Sequence, residues 1–216
     1  MSKKETVKRY VLMVIGLFFI AMGIAFTKSA ELGVTTISSV PNVLSIKFNA
    51  ITLGNWIIIW NSIFILIQVL LLRKKFRPIQ LIQVPLSFLL GYFTDFNMLF
   101  TDLIPDEKYA IKLLMVVTGV IVLGFGISLS VISDAVLNPG EAIVKVLSEV
   151  LGKSFSSLKI VFDVASVALA VVLSLLLFDF SVVGVREGTL IAALTTGFVV
   201  KFFNKLLTKP LNKILK

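Results

Sequence analysis

The chain has 216 residues, of which 57% are hydrophobic and 15% charged, with a mean hydropathy of +1.02 and a net charge of +9. Soluble globular domains carry about 45–50% apolar and about 25% charged residues. Here the apolar residues form long blocks that a water-soluble fold would leave exposed, so lipid is the expected solvent.

Cysteine and histidine are absent. That removes disulfides, thiolate nucleophiles, the commonest zinc ligands and imidazole acid–base chemistry. With no glycine-rich phosphate loop or serine-nucleophile elbow either, the expectation is a protein that is not an enzyme and has no cofactor or metal. The basic residues sit in short loops between apolar blocks, a topology signal rather than a nucleic-acid groove.

Residues 1–9 are basic and precede an apolar run over 10–27. This run is longer than the apolar core of a signal peptide, about 7–15 residues, so it reads as a retained first helix. Crossing a hydrocarbon layer takes roughly 20 apolar residues. Six stretches qualify or nearly so: 10–27, 56–72, 79–100, 111–131, 158–178 and 189–203. Stretches 35–48 and 138–151 are helix-like but short, with one polar face.

If the short stretches do not cross, 16 of the 21 basic residues fall on one side. These include Lys3, Lys4, Lys8, Arg9, the cluster at 73–77, Lys145, Lys153, Lys159 and the C-terminal lysines 201–216. Lys28, Lys47, Lys108, Lys112, Arg186 and the acidic loop 102–107 fall on the other. Cytoplasmic loops collect Lys and Arg. The expectation is therefore six transmembrane helices in one membrane domain, 1–216, with both termini cytoplasmic.

The halves resemble each other. Shifted by 103, Val14, Gly16, Gly23 and Ile24 overlie Val117, Gly119, Gly126 and Ile127, while Thr27 overlies Ser130 and Glu31 overlies Asp134. With small shifts, Trp60-Asn61 overlies Phe162-Asp163, and Gly91-Tyr92 overlies Gly197-Phe198. The shared order is long helix, acidic residue, short helix, then two long helices. Three spans per half make the second half (111–207) an inverted copy of the first (9–100), an arrangement recurrent in carriers.

Asn138-Pro139-Gly140-Glu141 reads as an N-cap, a first-position proline and a first-turn acid. Thr35-Thr36, followed by Ser38 and Ser39, starts the first short helix. As re-entrant helices, the two would aim positive N-termini at a shared interior and favour an anionic group. As interfacial helices, they would lie flat on their apolar stripes. Both readings stand at this stage.

Ionisable groups inside spans are costly and face a cavity or a partner. Asp163 lies four residues from Lys159, and its repeat-mate is Asn61. Asp95 sits in a span that also carries Gln80, Gln83, Pro85 and Ser87. That span is expected to kink at Pro85 and line a water path. Glu31 and Asp134 occupy equivalent corners, where they either close a turn or gate access. The evenly spaced glycines suggest close helix packing, and Trp56 and Trp60 read as interface anchors.

The run Leu32-Gly33-Val34-Thr35-Thr36-Ile37-Ser38-Ser39-Val40-Pro41-Asn42-Val43-Leu44-Ser45 resembles the signature loop of the YczE/YitT-type uncharacterised bacterial membrane proteins. So do Phe162-Asp163-Val164 and Val185-Arg186-Glu187-Gly188-Thr189-Leu190. Members often carry a Pro-Trp-Asp-type step where this chain has Thr35-Thr36-Ile37. The resemblance implies a multi-pass protein of the bacterial cytoplasmic membrane and supplies no substrate.

The leading functional expectation is a secondary transporter or channel-like carrier of a small anionic or zwitterionic metabolite. Thr35, Thr36, Ser38, Asn61, Asn138 and Gly140 would bind it. Glu31, Asp95, Asp134, Glu141 and Asp163 would gate it or couple protons. The alternative is a substrate-binding or accessory subunit working with a separate complex. Expected partners are the bilayer, the substrate and, as an option, further copies of the chain.

Overall fold

The computed structural model describes residues 2–105 and 108–215, apart from the side chain of Ser156. Asp106 and Glu107 of the acidic loop, along with Met1 and Lys216, lie outside the described residues. Among those described, the chain forms eight α-helices and no strand. They are α1 (Lys3–Ser29), α2 (Ser39–Lys47), α3 (Leu53–Leu72), α4 (Gln83–Thr101), α5 (Tyr109–Ser133), α6 (Pro139–Leu151), α7 (Phe155–Leu177) and α8 (Glu187–Leu215). Two 3-10 turns, Arg73–Lys75 and Pro78–Ile82, link α3 to α4.

Among the described residues, five segments are long and apolar enough to cross a membrane: α1, α5, α8, Leu53–Lys75 and Ser157–Leu177. Their outward faces carry exposed leucine, isoleucine, valine and phenylalanine, such as Leu70, Leu114, Leu176 and Phe198. A soluble protein does not present such surfaces to water. The sixth long helix, α4, has 19 residues and a length of about 28 Å. It is less apolar because it carries Gln83, Ser87, Thr94, Asp95 and Asn97. With 9 and 13 residues, α2 and α6 are roughly 14 and 20 Å long, too short for a core of about 30 Å.

The axis of the molecule is the crossing of α1 and α5, its most extensive helix contact. The helices run antiparallel, and the order of their contacts shows it. Arg9 donates to the carbonyl of Ser133 at 3.0 Å. Further along, Gly16 meets Gly126, Gly23 meets Gly119, and Lys112 reaches Glu31 at 2.6 Å. A Cβ on Gly23 would lie 2.6 Å from the Gly119 carbonyl oxygen, and one on Gly126 would lie 2.6 Å from that of Gly16. Only glycine lets the two backbones approach this closely.

Around this axis α4 packs on α1, and α8 packs on α5. The short helices cross over between halves. Val40 and Val43 of α2 pack against Ala170 of α7, while Ile143 and Val144 of α6 pack against Phe64 of α3.

The seam between α3 and α4 is closed. Gln68 and Gln83, both fully buried, each donate Nε2 to the other's Oε1 at 3.0 Å. Further along, Gly91 packs against Gly54, so that a Cβ on Gly91 would sit 2.6 Å from the Gly54 carbonyl. The corresponding position beside α7 is different: around Gly197 of α8 there is nothing within 4 Å of where a Cβ would be. α7 packs on α2 and α6 rather than forming a seam with α8.

The structure corrects several boundaries. α4 begins at Gln83 rather than at 79, because Pro78–Ile82 forms the 3-10 turn. Pro85 then lies in the first turn of α4, where backbone N–H groups have no helical acceptor in any case, so it starts the helix instead of kinking it. The first short helix is capped at Ser38, after a turn over residues 35–38, and not at Thr35. α8 continues past Phe203, through Pro210, to Leu215. Leu207, Leu211 and Leu215 dock on Leu12, Leu129 and Ile132, and that packing carries the helix beyond its apolar run.

The two kinds of glycine make a direct test of this packing. Gly23→Ala forces a methyl into the Gly119 carbonyl and should cost about 1–3 kcal/mol, as overpacked cores do. Gly197→Ala enters open space and should be neutral or gain up to about 1 kcal/mol from helix propensity. Thermal unfolding of both variants in detergent micelles checks the opposite signs.

Candidate functional site

Both short helices enter the same interior space. Before α2, the chain turns over residues 35–38, with Ser38 N–H donating to the Thr35 carbonyl at 3.1 Å and Ser39 Oγ to that of Thr36 at 2.6 Å. Before α6, Asn138 Oδ1 accepts from Gly140 N–H at 2.9 Å, with Pro139 at the first helical position. The two entry points touch, since a Cβ on Gly140 would lie 3.0 Å from Ile37 Cδ1. The N-terminal halves of both helices are buried and their C-terminal ends are exposed.

Thr35, Thr36, Ser38, Asn138 and Glu141 line a cavity of about 440 Å³ beside this contact. Asn61 reaches it from α3, and Lys159 and Asp163 reach it from α7. Gly140 stands behind the wall against Ile37. The remaining lining is mostly apolar, including Ile20 and Ile24 of α1 and Leu123 and Ile127 of α5.

Asp163 is the hub of the polar end. Its Oδ1 accepts from Thr36 Oγ1 at 3.0 Å and pairs with Lys159 Nζ one turn earlier on α7. Thr36 belongs to the first half of the chain and Asp163 to the second, so this bond joins the halves at the cavity. Asn61 Nδ2 is buried and has no hydrogen-bond partner among the described residues. Such a group is uncommon inside a folded protein.

The charge balance follows from these contacts. Each short helix brings a partial positive charge at its N-terminus. Glu141 lies in the first turn of α6, and Asp163 bonds Thr36 at the entry to α2. The chain's own carboxylates therefore already sit at the two helix ends. Together, Lys159 and the two helix ends, about half a unit charge each, balance the two carboxylates.

Three expected gating residues lie elsewhere. Glu31 and Asp134 both adopt left-handed backbone, with φ of 57° and 49°, where α1 and α5 end. Glu31 pairs with Lys112 at 2.6 Å, and Asp134 faces Arg9 at 3.9 Å. Each of these contacts is the other shifted by 103 residues, and the two residues close turns at opposite ends of the α1–α5 crossing. Their side chains are largely exposed; neither lines the central cavity, and Glu31 lines a second cavity at the end of α1.

Asp95 is not among the residues that line the central cavity. Its carboxylate accepts from Thr52 Oγ1 at 2.6 Å and from Gly54 N–H at 2.8 Å, clamping the N-terminus of α3 to α4. Free N–H groups at a helix start and the dipole both favour a carboxylate there. The other polar groups of α4 are consumed too. Gln83 bonds Gln68, while Ser87 and Thr94 bond carbonyls one turn back.

Some cavity residues escaped the sequence reading. Trp60 lines the cavity and stacks edge-on against Phe64 at 5.1 Å rather than anchoring at the interface. Its overlap with Phe162, next to Asp163, was the available signal. Thr196, Gly197 and Asn204 line the cavity from α8. Asn204 falls just beyond the expected end of the last span.

A second cavity of about 650 Å³ opens at the end where α1 and α4 finish, lined by Lys28, Asp102, Asn42 and Arg186 among others. Gly33, Val34 and Asn42 face it, while Thr35, Thr36, Ser38 and Pro41 face the central cavity. The segment from 33 to 42 is thus the wall between the two. No group of three or more metal-ligating side chains occurs among the described residues.

Asp95→Ala should cost about 1–2 kcal/mol, the usual range for losing a helix cap and its side-chain bond. Asp134→Asn keeps a residue that tolerates left-handed backbone and should change stability by less than about 0.5 kcal/mol. Unfolding midpoints of the two variants separate a clamp from a surface turn.

Residues 7–205 match a family model described as a family of unknown function (DUF6198). No curated protein and no solved structure matches the chain.

Proposed function

The chain belongs to this family of unknown function, and on that premise, which fixes no substrate, we propose that it is a secondary carrier of a small polar metabolite in the bacterial cytoplasmic membrane. The observation that carries the reading is the central cavity where both short-helix entries meet the Asp163–Lys159 pair. A part-buried ion pair and an unpartnered buried amide inside a membrane bundle mark a substrate path by default.

In this reading the six long helices cross the membrane, α2 and α6 are re-entrant, and the halves form an inverted 3+3 repeat. Reciprocal contacts support the repeat: Gly16 with Gly126 against Gly119 with Gly23, and Arg9 with Asp134 against Lys112 with Glu31. Lys8 Nζ bonds the Ile214 carbonyl at 2.7 Å, which supports both termini lying on one side. The excess of Lys and Arg at that end makes it cytoplasmic. The likeness to YczE/YitT-type proteins rests on the motif residues and fits this placement.

Transport follows by exchange of two seams. The α3–α4 seam is held by Gly54, Gly91 and the Asp95 clamp, while its counterpart between α7 and α8 stands open at Gly197. In an inverted repeat, the alternative state closes the second seam and opens the first, moving access from one face to the other.

The chain has no cysteine, so single replacements report cleanly. Thr36→Cys should react with a membrane-impermeant maleimide from the cytoplasmic face only. Adding Asp95→Ala should give it reactivity from the opposite face as well. Reaction from neither face, or from both in the parent and the variant alike, would refute the carrier reading.

A further inference from the structure

The central cavity holds polar groups that the chain itself leaves unmatched, and their kinds point to what enters it. Asn61 is 3% exposed, and its Nδ2 has no acceptor. Trp60, the residue before it on α3, has a buried Nε1 that lacks one too. Both residues line the cavity. An indole nitrogen can only donate, so what the wall lacks here is an acceptor. Asn204 Oδ1 on α8 is the reverse case, an acceptor without a donor. Among the described residues, the unmatched buried groups of this wall are thus two donors and one acceptor.

The charges add a condition. The ionisable residues lining the cavity are Glu141, Lys159 and Asp163. Asp163 is paired with Lys159 and bonded by Thr36, whereas Glu141 forms no ion pair among the described residues. Glu141 begins α6, which packs on α3 and α7. α3 has no ionisable residue, and α7 brings only Lys159 and Asp163. On α6 itself, Lys145 and Glu149 are exposed. Burial holds the Glu141 carboxyl above the usual carboxylate range, and the charge of Lys159 offsets this only in part. With both carboxylates ionised, Lys159 and the two helix ends bring the polar end to about neutrality. A proton on Glu141 leaves about one positive charge there uncompensated.

The rest of the wall is apolar and includes Ile20, Ile24, Ile57 and Leu123. A compact hydrated ion would leave these side chains uncovered and would lose its water without full replacement. An anionic head on an apolar body meets both demands, since it brings acceptors to the donors and covers the wall.

We propose that the central cavity binds a small organic anion with an apolar body together with one proton, which Glu141 carries. The head lies at the polar end, with Asn61 and Trp60 as donors. The proton passes from water to the carboxylate and returns to water when the anion leaves, so the two cross as a neutral pair. This proposal rests on the carrier reading and deepens it by naming the substrate class and the coupling ion.

The test uses the full chain in detergent with Trp56→Phe, which leaves Trp60 as its one tryptophan. Calorimetric titration of the unsubstituted chain reads the same affinities. The probe is cyclohexanesulfonate, which stays anionic at every pH used, so any pH dependence belongs to the protein. It should change Trp60 emission saturably, and cyclohexylammonium should not. Affinity should fall at least about tenfold between pH 5 and pH 9, being present while Glu141 is protonated and lost as it ionises. At the alkaline end, in weak buffer, binding should take up about one proton per sulfonate. Glu141→Gln, neutral at every pH, should bind equally across the range and take up no proton.

Saturable binding of cyclohexylammonium in place of the sulfonate would overturn the anion. Sulfonate binding that is independent of pH, or that keeps its pH dependence in Glu141→Gln, would overturn the proton on Glu141. Proton uptake by the parent decides the coupling even if that variant does not fold. No saturable response to either probe would overturn the proposal as a whole. In each of these cases, one-sided reactivity of Thr36→Cys keeps the carrier reading standing, so the two can fail separately.

Discussion

The architecture hangs on the crossing of α1 and α5, where backbone meets backbone through Gly16, Gly23, Gly119 and Gly126. In lipid there is no hydrophobic gain from helix association, so close packing of small residues supplies the cohesion. The crossing also settles direction. Because its contacts run in opposite order along the two helices, α5 runs antiparallel to α1. An even number of crossings between them is what the proposed six-span topology supplies with α3 and α4.

From that axis the rest follows with little freedom. Each short helix is shorter than a hydrocarbon layer is thick, and its N-terminal half is buried while its C-terminal end is exposed, so its N-terminal turn lies inside the bundle. Backbone that leaves helical form at membrane depth is tolerated only where protein or a cavity satisfies it. The turn at 35–38 and the Asn138 cap meet that demand through their own hydrogen bonds. The polar end of the cavity arises because these entries meet α7 at Asp163 and α3 at Asn61.

The departures from symmetry carry the functional argument. Gly91 is sealed against Gly54 while Gly197 faces open space. Asp95 clamps the start of α3, whereas the matching place on α8, four residues after Gly197, is Lys201. A lysine cannot accept from N–H groups, and a helix N-terminus repels it. The two seams are therefore built from unlike parts, one latched and one loose.

The long apolar helices and the Lys159–Asp163 pair were legible from sequence, because each depends on composition or on neighbours within a helical turn. The glycine faces and the matching acidic corners at Glu31 and Asp134 were legible as pattern, though not as contact. The partners of Asp95, the bond from Thr36 to Asp163 and the cavity role of Trp60 were decided only by tertiary structure. Thr52 and Gly54 lie more than forty residues from Asp95, and Thr36 lies 127 residues from Asp163. Hydropathy reports how deep a residue sits in the membrane, but not which way around its helix it faces. That angle is set when helices from distant parts of the chain pack together, and it separates a cap from a gate and an interface anchor from a cavity wall.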